Sequence, residues 1–241
     1  MLSVPRALVR RQQAISSLCN KEGHNTKKKA GLAMDEGTTP HIEVRAVHVN
    51  DAPALYELDY NFETDRIYTL RVQDRLPRDE QDANVDDPAA FSFELVETLV
   101  DYPLYKNFRE YENTLADVEA KLRNVEGGYV ALADGQVAGG ILLNVEEWRS
   151  IVRVQDIIVG RQFRRYGVGS LLLSCAADWA RNRGCWAIVL ETQNTNYPAI
   201  QFYLRNGLEI WSINQNYYPP GPQGHEIAIF MGKRLSSDLS Q

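Results

Sequence analysis

The segment RRYGVGSLLL, residues 164–173, constrains this chain most, because two glycines stand directly before a run of leucines. It follows a strand-like apolar segment, Val152 to Val159, and opens an apolar helix. The start of a helix exposes backbone N–H groups that lack intrahelical acceptors, so it can bind a phosphate. Gly167 and Gly169 would let a ligand approach this backbone closely, and the two arginines that begin the segment add charge for an anion. The segment therefore predicts a phosphate-binding loop.

Two common phosphate-binding motifs do not fit this loop. A dinucleotide-binding GxGxxG motif would need a glycine where this chain has Leu172, and the GxxxxGK[ST] form is absent. The pattern that remains is Arg-x-x-Gly-x-Gly between a strand and a helix. A tight strand-to-helix turn that binds nothing is the alternative without a function, and a second motif farther along the chain argues against it.

The pattern resembles the acyl-CoA pyrophosphate loop of the GNAT superfamily of N-acetyltransferases. LETQNTNYPAIQFYLRNGLE, Leu190 to Glu209, is similar to the second cofactor motif of that superfamily, in which an asparagine precedes a short helix that carries Phe-Tyr and ends in glycine. VQDIIV, LETQN and PAIQFYLRNGL look most like the streptothricin acetyltransferase-type branch, which often has Glu-Asp in place of Gln155-Asp156. The resemblance extends from about Glu43 to Leu235, is specific from Val152 to Leu208, and is faint between Asp59 and Glu126.

This resemblance implies an α/β (α+β) fold, with a mixed, mostly antiparallel twisted sheet, a splayed central strand pair and flanking helices. It implies acetyl-CoA as a co-substrate, no metal, and direct attack by the amine without a covalent enzyme intermediate. The backbone of the strand before the glycine loop would carry the thioester arm. The implied cofactor-binding residues are Ile157, Ile158, Val159, Arg164, Arg165, Gly167, Val168, Gly169, Ser170, Asn196 and Tyr203.

Acetyl transfer to an amine needs a base for the amine and an acid for the departing thiolate. Tyr203 matches the family tyrosine that protonates the thiolate, with a core aromatic as its structural alternative. Asp156 lies where many family members keep a base, although it could be a sheet-edge carboxylate bonded to backbone. Glu191 is the second candidate base, with a salt bridge or a loop cap as its alternative. Asn196 could cap a helix while it binds the pantetheine arm.

We therefore expect an N-acetyltransferase that moves an acetyl group to a primary amine of a small molecule, with antibiotics among the candidates. A protein Lys or N-terminal acetyltransferase and a non-catalytic acyl-CoA sensor are the alternatives. A net charge of −6 argues against nucleic acid as a partner. No apolar run reaches the roughly 20 residues that cross a bilayer, so we expect no membrane partner. A homodimer is left open.

Cysteine and histidine patterns give two further expectations. The three cysteines form no CxxC pair, which favours a reducing, cytoplasmic location. The four histidines show no metal-ligand spacing, so no metal site is expected.

The chain divides into a disordered tail over residues 1–40, an acetyltransferase domain over residues 41–236 and a short tail over residues 237–241. The Arg-rich start of the first tail also fits an organelle transit peptide or a start codon assigned upstream of Met34. Phe108 to Gly127 predicts a helix closed by the Gly127-Gly128 pair, and Asp134-Gly135 predicts a hairpin turn. Arg71 to Asp101 predicts irregular or loosely helical structure.

Overall fold

The computed structural model describes residues 39–75, 90–108, 114–219 and 226–235. These residues form nine strands and four α-helices. The strands are β1 (Ile42–Ala46), β2 (Phe62–Arg75), β3 (Ala90–Lys106), β4 (Gly127–Ala133), β5 (Gln136–Glu146), β6 (Ile151–Val159), β7 (Ala187–Gln193), β8 (Glu209–Asn214) and β9 (Ala228–Arg234). The helices are α1 (Ala52–Tyr56), α2 (Leu115–Asn124), α3 (Val168–Arg181) and α4 (Tyr197–Arg205). The predicted tails over residues 1–40 and 237–241 lie almost wholly outside the described residues.

Seven strands form one sheet in the order β1-β4-β5-β6-β7-β9-β8, and β2 and β3 form a separate antiparallel ribbon. Every neighbouring pair in the sheet is antiparallel except β6 and β7, which are parallel. The predicted mixed, mostly antiparallel sheet with flanking helices is confirmed.

The central parallel strands separate soon after they meet. β6 and β7 pair only from Ile151 to Arg153 on the β6 side. On the other side of β6, Val154 pairs with Leu143 while Asp156 pairs with Leu142, so Gln155 is an extra residue. Such a bulge bends the strand that carries it, so β6 turns away from β7 here. The predicted splay of the central pair is confirmed.

Helices cover both faces of the sheet beside this splay. Leu55 of α1 lies against Gly140 of β5. A Cβ added to Gly140 would be 3.0 Å from Cδ2 of Leu55. Trp179 of α3 lies over Gly127, which pairs with Leu143 across the strands. Because neighbouring residues of a strand point to opposite faces, Gly140 and Leu143 belong to opposite faces. The core therefore fills two layers, one under α1 and α2 and the other under α3.

The turn between β4 and β5 has the predicted hairpin geometry. Asp134 has a φ of 47° and Gly135 a φ of 83°. Positive φ at both central residues is the requirement of a type I′ turn, which Asp-Gly satisfies at low cost. The hairpin prediction is confirmed.

The prediction for Arg71 to Asp101 is wrong wherever the structure describes it. Residues up to 75 continue β2, and residues from 90 belong to β3. The two strands pair from Phe62 with Lys106 to Arg75 with Ala90, with one register shift between Thr64 and Arg66. A two-stranded ribbon has no sheet neighbours, and most of its residues are exposed or half-buried. It therefore lacks the alternation of apolar and polar residues that identifies a half-buried strand. Residues 76–89 lie outside the described part of the chain.

The predicted closure of α2 by two glycines is also wrong. The helix begins after Thr114, whose side chain forms a capping box with Asp117, and it ends at Asn124. Gly127 and Gly128 begin β4 instead. A Cβ on Gly127 would lie 2.4 Å from Cζ2 of Trp179, so close packing explains this glycine. The part of the predicted helix over residues 109–113 lies outside the described residues.

No helix among the described residues is long and apolar enough to cross a bilayer.

Candidate active site

The glycine loop connects β6 to α3 and ends at the N-cap of the helix. Gly167 has a φ of +82° and no atom lies within 4 Å of the Cβ it lacks. This glycine is therefore required by backbone conformation and not by space. Its carbonyl accepts from the amide of Leu171 at 3.0 Å, and no side chain caps the helix. The amides of the first turn, from Val168 to Ser170, consequently have no intrahelical acceptor and can bind an anion.

Gly169 has a packing role besides the predicted approach of a ligand, which stays a prediction. A Cβ at this position would lie 2.8 Å from Cζ of Phe202 in α4. The glycine therefore lets α3 and α4 pack together, whether or not a ligand also approaches it.

The two arginines of the loop behave differently. Arg164 donates from Nη2 to the carbonyl of Asn61 at 2.8 Å and from Nε to the carbonyl of Val159 at 3.4 Å. Burial lowers the pKa of Arg164 from its ordinary value. Arg164 therefore ties the loop to the start of β2. Arg165 is exposed and has a φ of +68°, a conformation that non-glycine residues seldom adopt.

A cleft of about 800 Å³ opens beside the loop. It lies between the loop, the start of β2 and one side of α4 from Tyr197 to Arg205. Four of its lining residues are arginines: Arg161, Arg164, Arg165 and Arg205. Glu63 and Asp65 also line the cleft, so the four arginines leave an excess of positive charge, which suits the phosphates of an acyl-CoA.

Ile157, Ile158 and Val159 lie on the part of β6 beyond the splay. On one side they pair with Ile141, Gly140 and Gly139 of β5. Beyond Arg153 the other edge pairs with no strand among the described residues. Its backbone groups can therefore accept an extended ligand as if it were an added strand. This geometry fits the thioester arm that the sequence predicts here.

Asn196 occupies the N-cap position of α4, but its side chain makes no capping hydrogen bond. The prediction that it doubles as a cap is wrong in this respect.

Tyr203, on the same helix, is buried. Burial chiefly, and then the charges of Asp156 and Glu191, raise the pKa of its phenol well above the ordinary value. Tyr203 therefore stays protonated at neutral pH and lies within electrostatic range of both candidate bases.

Asp156 and Glu191 lie on one face of the sheet, on opposite sides of the splay. Arg153 pairs with Val189, and Glu191 lies two residues after Val189 on β7. Arg153 also pairs with Asn144, while Asp156 pairs with Leu142, two residues before Asn144. Since cross-strand partners share a face, Asp156, Arg153 and Glu191 project from the same side.

The two carboxylates have different surroundings. Asp156 accepts a hydrogen bond from Nζ of Lys121 in α2 at 3.0 Å, and both residues line a small cavity with Leu55 and Ile158. Oε1 of Glu191 is buried and has no hydrogen-bond partner among the described residues. Burial raises the pKa of Glu191 to about 7, although the charges of Arg153 and Lys106 oppose this rise. The salt bridge or loop cap that could have explained Glu191 is thus not seen in the described part of the chain.

Sequence reasoning missed the residues that attach the ribbon to the site. Asn194 donates to the carbonyl of Tyr68 at 2.8 Å and accepts from the amide of Ile227 at 3.0 Å. Lys106 is buried beside Glu226, which also accepts from Thr195. Asn194 and Thr195 stand within the second cofactor motif, but their partners lie far away in sequence. Only the motif itself could have drawn attention to them.

A helix start that can bind phosphate, an unpaired strand edge beside it, and two carboxylates and a buried tyrosine around the gap are the arrangement expected of an acyl-CoA-dependent acyltransferase. Within the described residues, no group of His, Cys, Asp or Glu could hold a metal ion.

Comparison with known proteins agrees with this class. Residues 91–208 match the model of the acetyltransferase (GNAT) family. Streptothricin acetyltransferase from Streptomyces lavendulae is 30% identical over 199 residues, which cover 80% of this chain and 97% of the relative. Streptothricin acetyltransferase A from Bacillus subtilis is 29% identical over 51% of this chain and 70% of its own length. The crystal structure of a nourseothricin acetyltransferase has a TM-score of 0.63 and 28% identity, and the match covers 81% of this chain and 99% of that structure.

The chain belongs to the GNAT acetyltransferase family. It is therefore an N-acetyltransferase that takes its acetyl group from acetyl-CoA. The sequence-based expectation of family and co-substrate is confirmed.

Proposed function

We propose that this enzyme acetylates a primary amine of a small molecule, and that an amino-containing antibiotic of the streptothricin type is the first acceptor to test. Similarity to the S. lavendulae streptothricin acetyltransferase supports this choice, because it extends over 97% of that protein and beyond the cofactor motifs. The carboxylates of Asp156 and Glu191 lie on the same face of the sheet, and their negative charge also suits an acceptor that arrives as an ammonium ion.

The observation that carries the proposed chemistry is the environment of Glu191. Its buried Oε1 lacks a partner among the described residues, and burial places its pKa at about 7. A base with a pKa near the working pH combines a useful ionised fraction with a real affinity for the proton. Asp156 is the weaker candidate because its carboxylate is already bound by Nζ of Lys121.

Tyr203 is the proposed acid. Its raised pKa keeps the phenol protonated, and its buried position beside the splay excludes water as a competing donor. Transfer of its proton to a departing thiolate would complete the reaction.

The reaction then follows from the placement of these groups. Glu191 takes a proton from the ammonium, and the neutral nitrogen attacks the thioester carbonyl carbon, so that a C–N bond forms. The C–S bond breaks, and Tyr203 supplies the proton that the sulfur receives. The second proton that the nitrogen loses as the amide forms returns to the phenolate of Tyr203, and Glu191 releases its proton to solvent. Backbone groups of Ile157 to Val159, on the unpaired strand edge, would hold and polarise the thioester.

A protein N-terminal or Lys acetyltransferase is the alternative. The [Ribosomal protein bS18]-alanine N-acetyltransferase of Salmonella typhimurium is 38% identical, but over only 34% of this chain. The ribbon of β2 and β3 favours the small acceptor, because it packs on α4 beside the site: Gln201 donates to the hydroxyl of Tyr68 at 2.9 Å. An extended peptide would need an open groove there.

Thiol release from acetyl-CoA, measured with the full chain, tests the proposal. Streptothricin should stimulate release, while a peptide with an N-terminal alanine should not. Glu191→Gln and Tyr203→Phe should both lower the streptothricin-dependent rate. Turnover on the peptide alone would overturn the small-molecule assignment, and full activity of Glu191→Gln would overturn the assignment of the base.

A further inference from the structure

Arg205 faces the cleft beside the glycine loop from the side of α4. Pro198, Gln201 and Arg205 all line this cleft. They stand three and four residues apart, so they share one face of the helix. Arg205, the last residue of α4, is exposed, and its guanidinium forms no hydrogen bond or ion pair within the part of the chain that the structure describes.

The usual structural role of an arginine at the end of a helix is filled by other residues. Such an arginine can bind the last carbonyl groups of the helix. Here Nδ2 of Asn206 donates to the carbonyl of Phe202 at 2.8 Å, and Nζ of Lys233 donates to the carbonyl of Asn206 at 2.9 Å. The guanidinium of Arg205 is therefore available to a ligand in the cleft.

The two carboxylates that line the cleft do not neutralise its arginines. Oδ1 of Asp65 lies 3.6 Å from Nε of Arg66, which is outside the cleft lining. Glu63 forms no ion pair with a described residue. The exposed arginines of the cleft therefore outnumber its one unpaired carboxylate: Arg161, Arg165 and Arg205.

The position of Arg205 suits a phosphate close to the one at the helix start but separate from it. Phe202 of α4 lies against Gly169 in the first turn of α3, where an added Cβ would be 2.8 Å from its Cζ. Three helical residues advance by about 4.5 Å, so the backbone of Arg205 stands about one turn along α4 from this contact. Acetyl-CoA carries a third phosphate, a monoester on the 3′ carbon of its ribose, beside the pyrophosphate on the 5′ carbon. A donor whose pyrophosphate binds the first amides of α3 would bring this monoester toward α4.

We propose that Arg205 binds the 3′-phosphate of acetyl-CoA, and that the enzyme therefore prefers acetyl-CoA to 3′-dephospho-acetyl-CoA. A phosphate monoester carries a charge of about −1.5 to −2 at pH 7. The planar guanidinium can donate two parallel hydrogen bonds to its oxygens. Binding of the donor requires no acceptor, so this inference goes beyond the proposed function and does not depend on it.

Calorimetric titration of the full chain with the two donors tests the inference. In the wild type, 3′-dephospho-acetyl-CoA should bind about 10- to 100-fold more weakly than acetyl-CoA, the usual effect of losing hydrogen bonds to a charged group. In Arg205→Gln, the Kd for acetyl-CoA should rise by the same factor while the Kd for 3′-dephospho-acetyl-CoA stays unchanged. The variant should then bind both donors about equally.

Two control variants separate this contact from a general effect of charge. Arg165→Gln removes a cleft arginine from the glycine loop, so it should weaken both donors alike and keep the preference for acetyl-CoA. Arg181→Gln removes an arginine of α3 that pairs with Asp178 and does not line the cleft, so it should change neither Kd.

Three results would overturn the inference. Equal affinity of the wild type for both donors would do so, and this comparison requires no variant to fold. A preference that persists in Arg205→Gln would assign the 3′-phosphate to another residue. Equal weakening of both donors in Arg205→Gln would show that Arg205 supplies only general positive charge. Failure of streptothricin to stimulate thiol release would contradict the proposed acceptor but leave these binding constants unaffected, so the two proposals fail separately.

Discussion

The ring of Phe202 lies where a side chain on residue 169 would begin, since a Cβ on Gly169 would be 2.8 Å from Cζ of that ring. The second glycine of the cofactor loop is therefore also a packing residue between α3 and α4. We therefore expect replacement of Gly169 to lower the stability of the fold even when no ligand is bound.

Gly169→Ala should destabilise the protein by about 1–3 kcal/mol, because the added methyl group overpacks a filled contact. Chemical denaturation measures the free energy of unfolding. Ser170→Ala, one position along the helix, is the matched control and should change little. The double variant Gly169→Ala/Phe202→Leu should recover part of the lost unfolding free energy, because the smaller side chain leaves room for the methyl group. Equal stability of Gly169→Ala and wild type would contradict the close packing of residue 169 against Phe202.

Glu191→Gln should lower kcat by about 100-fold, the usual contribution of a general base. In the wild type, activity should fall as the pH drops through about 7, because protonation removes the base. This acid limb should be absent in Glu191→Gln. Asp156→Asn is the comparison, and its rate should fall less. The reverse order of the two variants would assign the base to Asp156.

Folding stability should also depend on Glu191. Its pKa in the folded chain, about 7, is above the ordinary value of 4.5, so the fold favours the protonated form. This contribution is fully present below pH 4.5 and is lost as the pH rises through 7. The difference in unfolding free energy between wild type and Glu191→Gln should therefore change across this window. A constant difference from pH 4.5 to 7.5 would show that the carboxyl is not desolvated.

Tyr203→Phe should lower kcat by about 10- to 100-fold while the Kd for acetyl-CoA stays the same, because only the hydroxyl group that donates the proton is removed. Steady-state kinetics and calorimetric titration measure the two quantities separately. Tyr129→Phe, on β4, is the control for loss of a hydroxyl. Parallel loss of acetyl-CoA affinity in Tyr203→Phe would instead assign the residue to binding.

Arg165 allows charge and backbone conformation to be separated. Arg165→Ala and Arg165→Gly both remove the charge, but only glycine suits a φ of +68° without strain. Both variants should weaken acetyl-CoA binding by about tenfold, as expected for the loss of one charge-assisted contact. Arg165→Gly should be the more stable of the two. If acetyl-CoA affinity falls in Arg165→Ala but not in Arg165→Gly, it depends on stability and not on the charge, and Arg165 does not belong to the phosphate site.

Local features of the site could be predicted from the sequence, whereas contacts between distant segments could not. Gly167 and Asp134-Gly135 were predictable because a positive φ is a property of the residue and its neighbours. Lys106 and Glu226 lie 120 positions apart, so their pairing depends on the whole topology. The residue pattern of the ribbon gave no strand signal, because neither of its faces is continuously buried.

The brief pairing of β6 with β7 also has a dynamic consequence. Among the strands that the structure describes, no other neighbouring pair shares so few paired positions, so the two halves of the sheet are joined by their shortest set of backbone hydrogen bonds beside the proposed catalytic residues. An acetyl donor bound along the unpaired edge of β6 would add backbone hydrogen bonds to that edge. Amide hydrogen exchange from Val154 to Val159 should therefore slow when the donor binds, so that the substrate acts as a temporary structural member of the sheet it enters.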